Sequence, residues 1–415
     1  MNKTNLKMIK KLNELKILNL LRDEAPISRS EMAKATKISK VTISEIVSRL
    51  DKEGYILTLG KGNSTKKGGK RPTLIKLNPD KGYVIGIEIK RNEVNIAIAN
   101  IISDIICEFG FEYGNEDSID FVIVKIFTHI DKKLKNLSIK YDKLISIGIG
   151  IPGFVNYELG ELSFSNKGWE NKPFVAQFVK KYNVPVLIEN DANMVAIGED
   201  LLGAGRNESN FICITLESGI GAGIIMDNQL IRGSNGMAGE IGYLKLGYAL
   251  ENPRKYKKLY TDQDRFGSIL SEDHLYTVIK SEIEKNSSDL EKPIDEYTIF
   301  DFLKLGEEGN EIVTEILDEY GEIIASLCTE LIKTINPKLI ILTGEVIENS
   351  NYLYCKIQEY TKQIMAEIPF DISSIIVGEL GIDAACLKGA VTMALHVIFK
   401  PYIQHKRLRQ IQIKE

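Results

Sequence analysis

The sequence predicts an α/β protein in two parts: an N-terminal winged helix-turn-helix, then a duplicated two-lobed body. Three observations lead there. Charge divides sharply near residue 80, with 18 Lys+Arg against 8 Asp+Glu before it and 35 against 49 after it, balances of +10 and −14 that cancel to the net −4 of the 415-residue chain. Helix-type patterning with two capped starts fills the basic segment and gives way to two strands around a glycine- and lysine-rich loop. In the acidic segment, three strand-like runs followed by strand-then-helix units occur once from residue 83 and again after residue 210.

Within the basic segment, residues 5–22 place Leu6, Ile9, Leu12, Leu15, Leu18 and Leu21 three apart, an apolar stripe on a first helix. Pro26 closes that connection. Ser28 with Glu31 three residues on forms a capping box for a second helix ending near Thr36. Ser39 caps a third, KVTISEIVSRLDKEG, with Val41, Ile43, Ile46, Val47 and Leu50 predicted to face inward and Lys40, Thr42, Ser44 and Glu45 outward. Two short helices on a tight turn are helix-turn-helix geometry, and short polar or cationic groups at the start of the third can reach base edges and phosphates in a major groove. YILTLG and PTLIKLN then read as strands flanking a basic wing that carries Lys61, Lys66, Lys67, Lys70 and Arg71. The expected DNA-contacting set is Arg29, Ser39, Lys40, Thr42, Ser44, Arg49, Lys66, Lys67, Lys70 and Arg71. A small protein-interaction domain with a charged hairpin would share the charge, but not the combination of caps, turn and wing.

In the body, YVIGIEI, NEVNIAIAN and IISDIICEFGFEY are strands at hairpin spacing, followed by a helix near 118–137, the strand LISIGIGIPG, a helix near 172–182, and VPVLIENDAN running from strand into helix. FICITLE, GAGIIMD and QLIRG repeat the opening, and KLIILTGE with a closing helix repeats the end. Ligands of such sheets bind at the carboxyl ends of strands. No run approaches the roughly 18 apolar residues of a membrane span. The opening residues lack the apolar core of a secretory signal, and Cys107, Cys213, Cys328, Cys355 and Cys386 are too scattered for a disulfide framework or a cysteine zinc site. These features point to a cytoplasmic protein.

GIGIPGFVN, SNKGW, ENDANMVAIGE, LGAGRNESNFICITLESGIGAGII, GMAGEIG, INPKLIILTGE and AACLKGA, in this order, resemble the ROK family of sugar kinases and sugar-responsive repressors. SRSEMAKATKISKVTISEIVSRL resembles the helix-turn-helix of its repressor branch, and the arrangement of wing, GGKRP and body looks most like the xylose-operon repressors. The resemblance implies an actin/hexokinase-like (ribonuclease H-like) duplicated fold. It divides the chain into a DNA-binding domain over 1–80, a first lobe over 81–195 completed by the C-terminal helix at about 384–400, and a second lobe over 196–383 with the dimerisation and sugar-cleft elements. It also implies sugar-binding roles for Asn166, Asn190, Asp191, Gly219 and Glu240, with Asp191 at the position of the kinases' catalytic base. Asn190 and Asp191 equally suit the N-cap of the helix that follows, and Glu240 a solvated helix end.

On the nucleotide side the family pattern is broken. The first phosphate loop reads Glu88-Ile89-Lys90-Arg91-Asn92 without a glycine, the second Glu217-Ser218-Gly219, and the adenosine-side Gly-Gly is Thr343-Gly344-Glu345. Phosphoryl transfer depends on backbone N–H groups cradling phosphate, so Asp191 is expected to be vestigial as a base and the chain not to be an enzyme. Where the family has Glu-Ile-Gly-His and a Cys-rich zinc loop, this chain has Glu240-Ile241-Gly242-Tyr243 and a loop without Cys or His. No metal or other cofactor is expected, and Tyr243 and Asp264 are the stand-ins for the family's His and Glu. The function implied is a repressor of a carbohydrate operon, with xylose the first sugar to consider, that binds double-stranded operator DNA as a homodimer or tetramer and is released by a monosaccharide. A sugar kinase with a fused DNA-binding domain, and a DNA-binding protein blind to ligand, are the rival readings.

Overall fold

The computed structural model describes residues 3–61, 71–157, 159–164, 168–170, 172–250, 252–260, 265–286, 290–368 and 373–400. Of the sites expected from sequence, Lys66, Lys67, Lys70, Asn166 and Asp264 lie outside the described residues.

The N-terminal module contains α1 (Lys3–Glu24), β1 (Ile27–Ser28), α2 (Arg29–Thr36), α3 (Lys40–Lys52), β2 (Ile56–Lys61) and β3 (Thr73–Leu77), the strands forming an antiparallel sheet in the order β1-β3-β2. Both predicted caps form: Ser28 and Glu31 make the reciprocal capping box, and Ser39 accepts from the Thr42 N–H. Of the expected stripe on α1, Leu15, Leu18 and Leu21 are buried, whereas Ile9 and Leu12 are exposed. The core they join, with Ile17, Met32, Ile43, Leu50, Ile75 and Leu77, lies against only the C-terminal half of the helix. A stripe reports amphipathicity, not how far the neighbouring surface extends.

The body repeats one topology. Its first sheet uses β4 (Tyr83–Ile89), β5 (Glu93–Asn100), β6 (Ile105–Glu112), β7 (Leu144–Ile151) and β10 (Val186–Asn190), in the order β10-β7-β4-β5-β6. Between them fall α4 (Ile119–Asn136), the hairpin β8 (Phe154–Asn156) and β9 (Glu161–Phe164), and α5 (Phe174–Tyr182). Helix α6 (Asp191–Leu202) leads to a second sheet of β11 (Phe211–Leu216), β12 (Ile220–Met226), β13 (Gln229–Leu230), β14 (Leu339–Thr343) and β15 (Ser374–Val377), in the order β13-β12-β11-β14-β15. Taking strands by rank, both sheets run 3-2-1-4-5, with an antiparallel meander and a parallel partner beside the first strand. Helices α7 (Phe266–Ile269), α8 (Glu272–Asn286), α9 (Ile299–Glu307), α10 (Glu311–Ile335), α11 (Glu345–Glu348) and α12 (Asn351–Ile364) fill the second half, and α13 (Ile382–Phe399) closes it. Each sheet has its own apolar core. Sequence reading found the paired meanders but not the β8–β9 hairpin or β15, which are too short to show a period.

By backbone contacts the chain forms two compact units, Met1–Glu189 with Ala390–Glu415, and Asn190–Gly389. In the first, α1 docks on the end of α13: the Asn19 side chain donates to the Phe399 carbonyl at 2.8 Å, and the Arg22 guanidinium lies 5.0 Å from the centre of the buried Phe399 ring. In the second, α6 is held at both ends. Its first turns press on β12 so closely that a Cβ on Gly223 would fall 2.2 Å from that of Ala196. Near its other end the fully buried Glu199 carboxylate accepts backbone N–H groups from Ala204 (2.7 Å), Leu380 (3.1 Å) and Glu379 (3.4 Å).

Removing an acceptor that serves several buried donors leaves each without a partner, at about 1–3 kcal/mol apiece. Glu199→Ala is therefore expected to destabilise the second unit by about 3 kcal/mol or more. Glu199→Gln, which keeps one carbonyl acceptor, is expected to cost less. Thermal unfolding of the two variants reads the difference, and equal stability to the parent would remove Glu199 from this role.

Candidate functional site

In the N-terminal module, the α2–α3 turn closes at Lys37, held in the left-handed conformation with φ of 58°. The capping hydrogen bonds from Ser28 hold the Glu31 carboxyl below its ordinary range. The Ser39 hydroxyl pairs with that of Thr42 at 2.9 Å, and the Arg29 guanidinium donates to Ser44 Oγ at 3.3 Å. Lys40, Glu45 and Ser48 are exposed, as is Arg71 beside β3. Arg49 is ion-paired with Glu14 of α1, so one expected DNA-contacting cation also ties α3 to α1. Val41 corrects the inward set: its side chain is 70% exposed. It stands one residue inside the helix, where the chain enters before the core begins. Three-residue periodicity could not separate it from Ile43 and Ile46.

In the second unit, Asn190 caps α6, its Oδ1 accepting from the N–H groups of Ala192 (2.9 Å) and Asn193 (3.4 Å). Asp191 Oδ1 also accepts from Ala192 at 2.9 Å. Burial pushes the Asp191 carboxyl up, against the pull of these hydrogen bonds. Glu240 stands close enough to feel that charge; burial first, and Asp191 second, push it up to about 7. Its place is fixed by Gly239, whose carbonyl accepts from Ala222 at 2.8 Å and whose φ of +91° leaves no room for a Cβ, which would fall 1.7 Å from the Ala222 carbonyl oxygen. Glu240 is thus a half-buried carboxyl facing a second carboxyl, not a solvated helix end. Tyr243, three residues on, is 50% exposed with the Arg265 guanidinium 5.7 Å from its ring centre. Gly219 lies exposed in the β11–β12 turn, and its carbonyl accepts from Glu217 at 3.0 Å. Paired carboxyls beside an amide suit vicinal hydroxyls, each of which both donates and accepts.

The loop after Tyr243 is held to α10 by ion pairs, Lys255 with Glu322 and Lys258 with Glu315, both at 2.5 Å, over the buried Tyr256, Leu259 and Phe266. Among the described residues no group of His, Cys, Asp and Glu is placed to hold a metal ion.

On the nucleotide side the loops are already filled by the chain itself. In the β4–β5 turn the Lys90 N–H is spent on the Glu93 carbonyl (2.8 Å), and Tyr113 caps the turn through its hydroxyl to Lys90 (2.6 Å) and its N–H to Asn92 (2.8 Å). Glu88 is buried and accepts from Asn95 at 3.2 Å. In the second unit the Gly344 and Ile382 N–H groups both donate to the Glu348 carboxylate, at 3.1 and 3.2 Å. Burial, then Glu345 and Asp273, push the Glu272 carboxyl up. Neither Tyr113 nor Glu348 was singled out from sequence, since each acts through a partner distant along the chain.

Asp191 and Glu240 hold their protons more tightly folded than unfolded, so folding takes up protons between the ordinary carboxylate range and about 7. Stability of the second unit should accordingly fall as pH rises from 5 to 8, and Glu240→Gln should flatten that fall. Thermal unfolding midpoints across the range test it; an unchanged slope in the variant would remove Glu240 as its source.

The sequence matches the ROK family over residues 84–397 and a winged helix-turn-helix DNA-binding pattern over residues 11–56. It is 30% identical over 402 residues, 94% of this chain and 96% of the relative, to the xylose repressor of Caldicellulosiruptor bescii. Among solved structures, a ROK family transcriptional regulator described as a homologue of the E. coli MLC protein shares the fold with a TM-score of 0.77 at 19% identity, covering 97% of this chain and 99% of that one. A ROK family glucokinase from Streptomyces griseus aligns with a TM-score of 0.62 at 22% identity, covering 99% of its own length but 75% of this chain. No described helix is long and apolar enough to cross a membrane. With the family pattern spanning most of the chain and the duplicated sheets matching its fold, this protein belongs to the ROK family.

Proposed function

We propose that the chain is a sugar-responsive repressor, held on double-stranded operator DNA by its winged helix-turn-helix and released by a monosaccharide. One contrast carries the reading: the Asn190–Asp191–Glu240 end, able to bind hydroxyls, is kept, while N–H groups of the loops that would cradle nucleotide phosphates are taken by the Glu93 carbonyl and the Glu348 carboxylate. That contrast favours a sensor over the rival kinase, and the similarity to a xylose repressor makes xylose the first sugar to test. DNA would be met by Lys40, Thr42, Ser44 and Arg71, with Ser39 fixing the helix start and Arg29 supporting Ser44. Sugar hydroxyls would be met by Asn190, Asp191 and Glu240, with Tyr243 and the exposed Gly219 turn at the margin. We place the protein in the cytoplasm as a homodimer or tetramer, either of which can present two helix-turn-helix modules to paired half-sites.

Two sets of contacts, one in each unit, are the candidates for coupling. Asn190 and Asp191 open α6. Glu199, two turns on, holds the Glu379–Leu380 segment that leads into α13. The last residue of α13, Phe399, is gripped by Asn19 and Arg22 of α1, and α1 holds α3 through Glu14 and Arg49. These contacts, the first set within the second unit and the rest within the first, are the ones through which sugar would have to act on the DNA-reading helix.

Linkage makes this measurable, because the factor by which sugar weakens DNA binding must equal the factor by which DNA weakens sugar binding. Asp191→Ala should bind operator DNA as the parent does and no longer be released by sugar; normal release would refute the site. Asn19→Ala combined with Arg22→Ala should retain both bindings separately while the coupling factor falls toward one. ATP hydrolysis stimulated by sugar would instead establish the kinase.

A further inference from the structure

Among the five apolar side chains of α3, Ile43, Ile46, Val47 and Leu50 are buried and Val41 alone is exposed, at 70%. It is the second residue of the helix, set between Lys40 and Thr42, and one turn before the exposed Glu45. The residues of α3 on this side of the helix are polar or charged: Lys40, Ser44, Glu45 and Ser48. A solvent-facing β-branched residue costs helix propensity and gains nothing from the module's own core, since no other described apolar residue of α3 shares its face.

The surface is continuous with the DNA-binding face of the helix-turn-helix, and that determines the occupant. A recognition helix enters the major groove by its N-terminal residues. The groove presents hydrogen-bonding edges to polar side chains and one apolar feature, the C5-methyl of thymine. We infer that Val41 is a specificity-determining residue of this repressor and reads a thymine methyl in each operator half-site. Lys40 and Thr42 on either side then supply the polar contacts, and the side chain that the module leaves unburied is covered in the complex. This rests on the DNA-binding reading above and adds one base-level contact to it.

Uracil differs from thymine only by that methyl, so the contact can be deleted from the DNA without disturbing a hydrogen bond. The full-length protein would first select its operator from a random-sequence duplex library. Each thymine of the selected site would then be replaced by uracil in turn, and affinities measured for the parent, Val41→Ala and Val41→Ile. Burial of a single methyl group sets the expected scale at about three- to fivefold. One thymine per half-site should show that loss with the parent and with Val41→Ile. With Val41→Ala the same position should bind thymine and uracil equally, while the other positions are unaffected. If the parent's uracil profile is unchanged in Val41→Ala, or if no thymine of the site is sensitive, the contact is overturned while DNA recognition by α3 stands. If the parent selects no sequence, both are overturned.

Discussion

Three backbone N–H groups from two separate loops converge on the Glu199 carboxylate, and the second unit is arranged around that requirement. A buried carboxyl is tolerated only where hydrogen bonds replace water, so the segments carrying Ala204, Glu379 and Leu380 must stay together for Glu199 to keep its partners. Because Glu199 sits on the helix that begins with Asn190 and Asp191, the same constraint fixes where those two side chains point. The other end of α6 is set by steric contact, with Ala192 and Ala196 against the glycines of β12. A helix held by charge at one end and by close packing at the other is stiff, and stiffness lets a ligand at its start be felt at its end.

The duplicated topology would let one half of a site change while the other remains. Each sheet follows the same strand order and supports its own core. The segments that the resemblance assigns to nucleotide binding are turns, the β4–β5 turn in one sheet and the segments after β11 and β14 in the other. Turns can change chemistry at little cost to the sheets. Here the changes go beyond losing glycines: the Lys90 N–H is taken by the Glu93 carbonyl and the Gly344 and Ile382 N–H groups by Glu348, so offering them to phosphate would require breaking hydrogen bonds that already exist. The proposed hydroxyl-binding groups stand instead on α6 and on the Gly239–Glu240 step, where a Cβ would collide with backbone.

Much of this was legible in the sequence wherever the signal was local. Ser28 with Glu31, and Ser39 three residues before Thr42, announce their helices because capping is decided within one turn. The two meanders show because their strands, the two-residue β13 apart, are long enough to display their pattern. Legibility ends where the third dimension decides. Val41 looked like core because it keeps a helical spacing with its buried neighbours, but spacing does not say which end of a stripe a neighbouring helix covers. Glu240 could be read as a helix end or as a ligand-binding group; what separates the two is its approach to Asp191, 49 positions earlier along the chain. The plugs at Tyr113 and Glu348 carry no motif, since filling a loop demands only some residue of the right reach.

The energetics of the α1–α13 contact suit a switch better than a staple. A side-chain hydrogen bond such as Asn19 to Phe399 contributes about 1 kcal/mol net, and a cation–π contact such as Arg22 over Phe399 about 0.5–1 kcal/mol. Allosteric couplings run at about 1–3 kcal/mol, the scale of the two contacts together. A far stronger junction would lock the DNA module in one arrangement whatever the body bound, and a far weaker one would leave it indifferent. The charge distribution then divides the remaining work. The basic module supplies non-specific attraction to phosphate through its +10 balance, while the −14 of the body repels DNA from every surface but the intended one. Release therefore does not require the sugar to overcome the whole electrostatic attraction. It needs only to spoil the fit of α3 to its site, after which the protein falls back to non-specific binding.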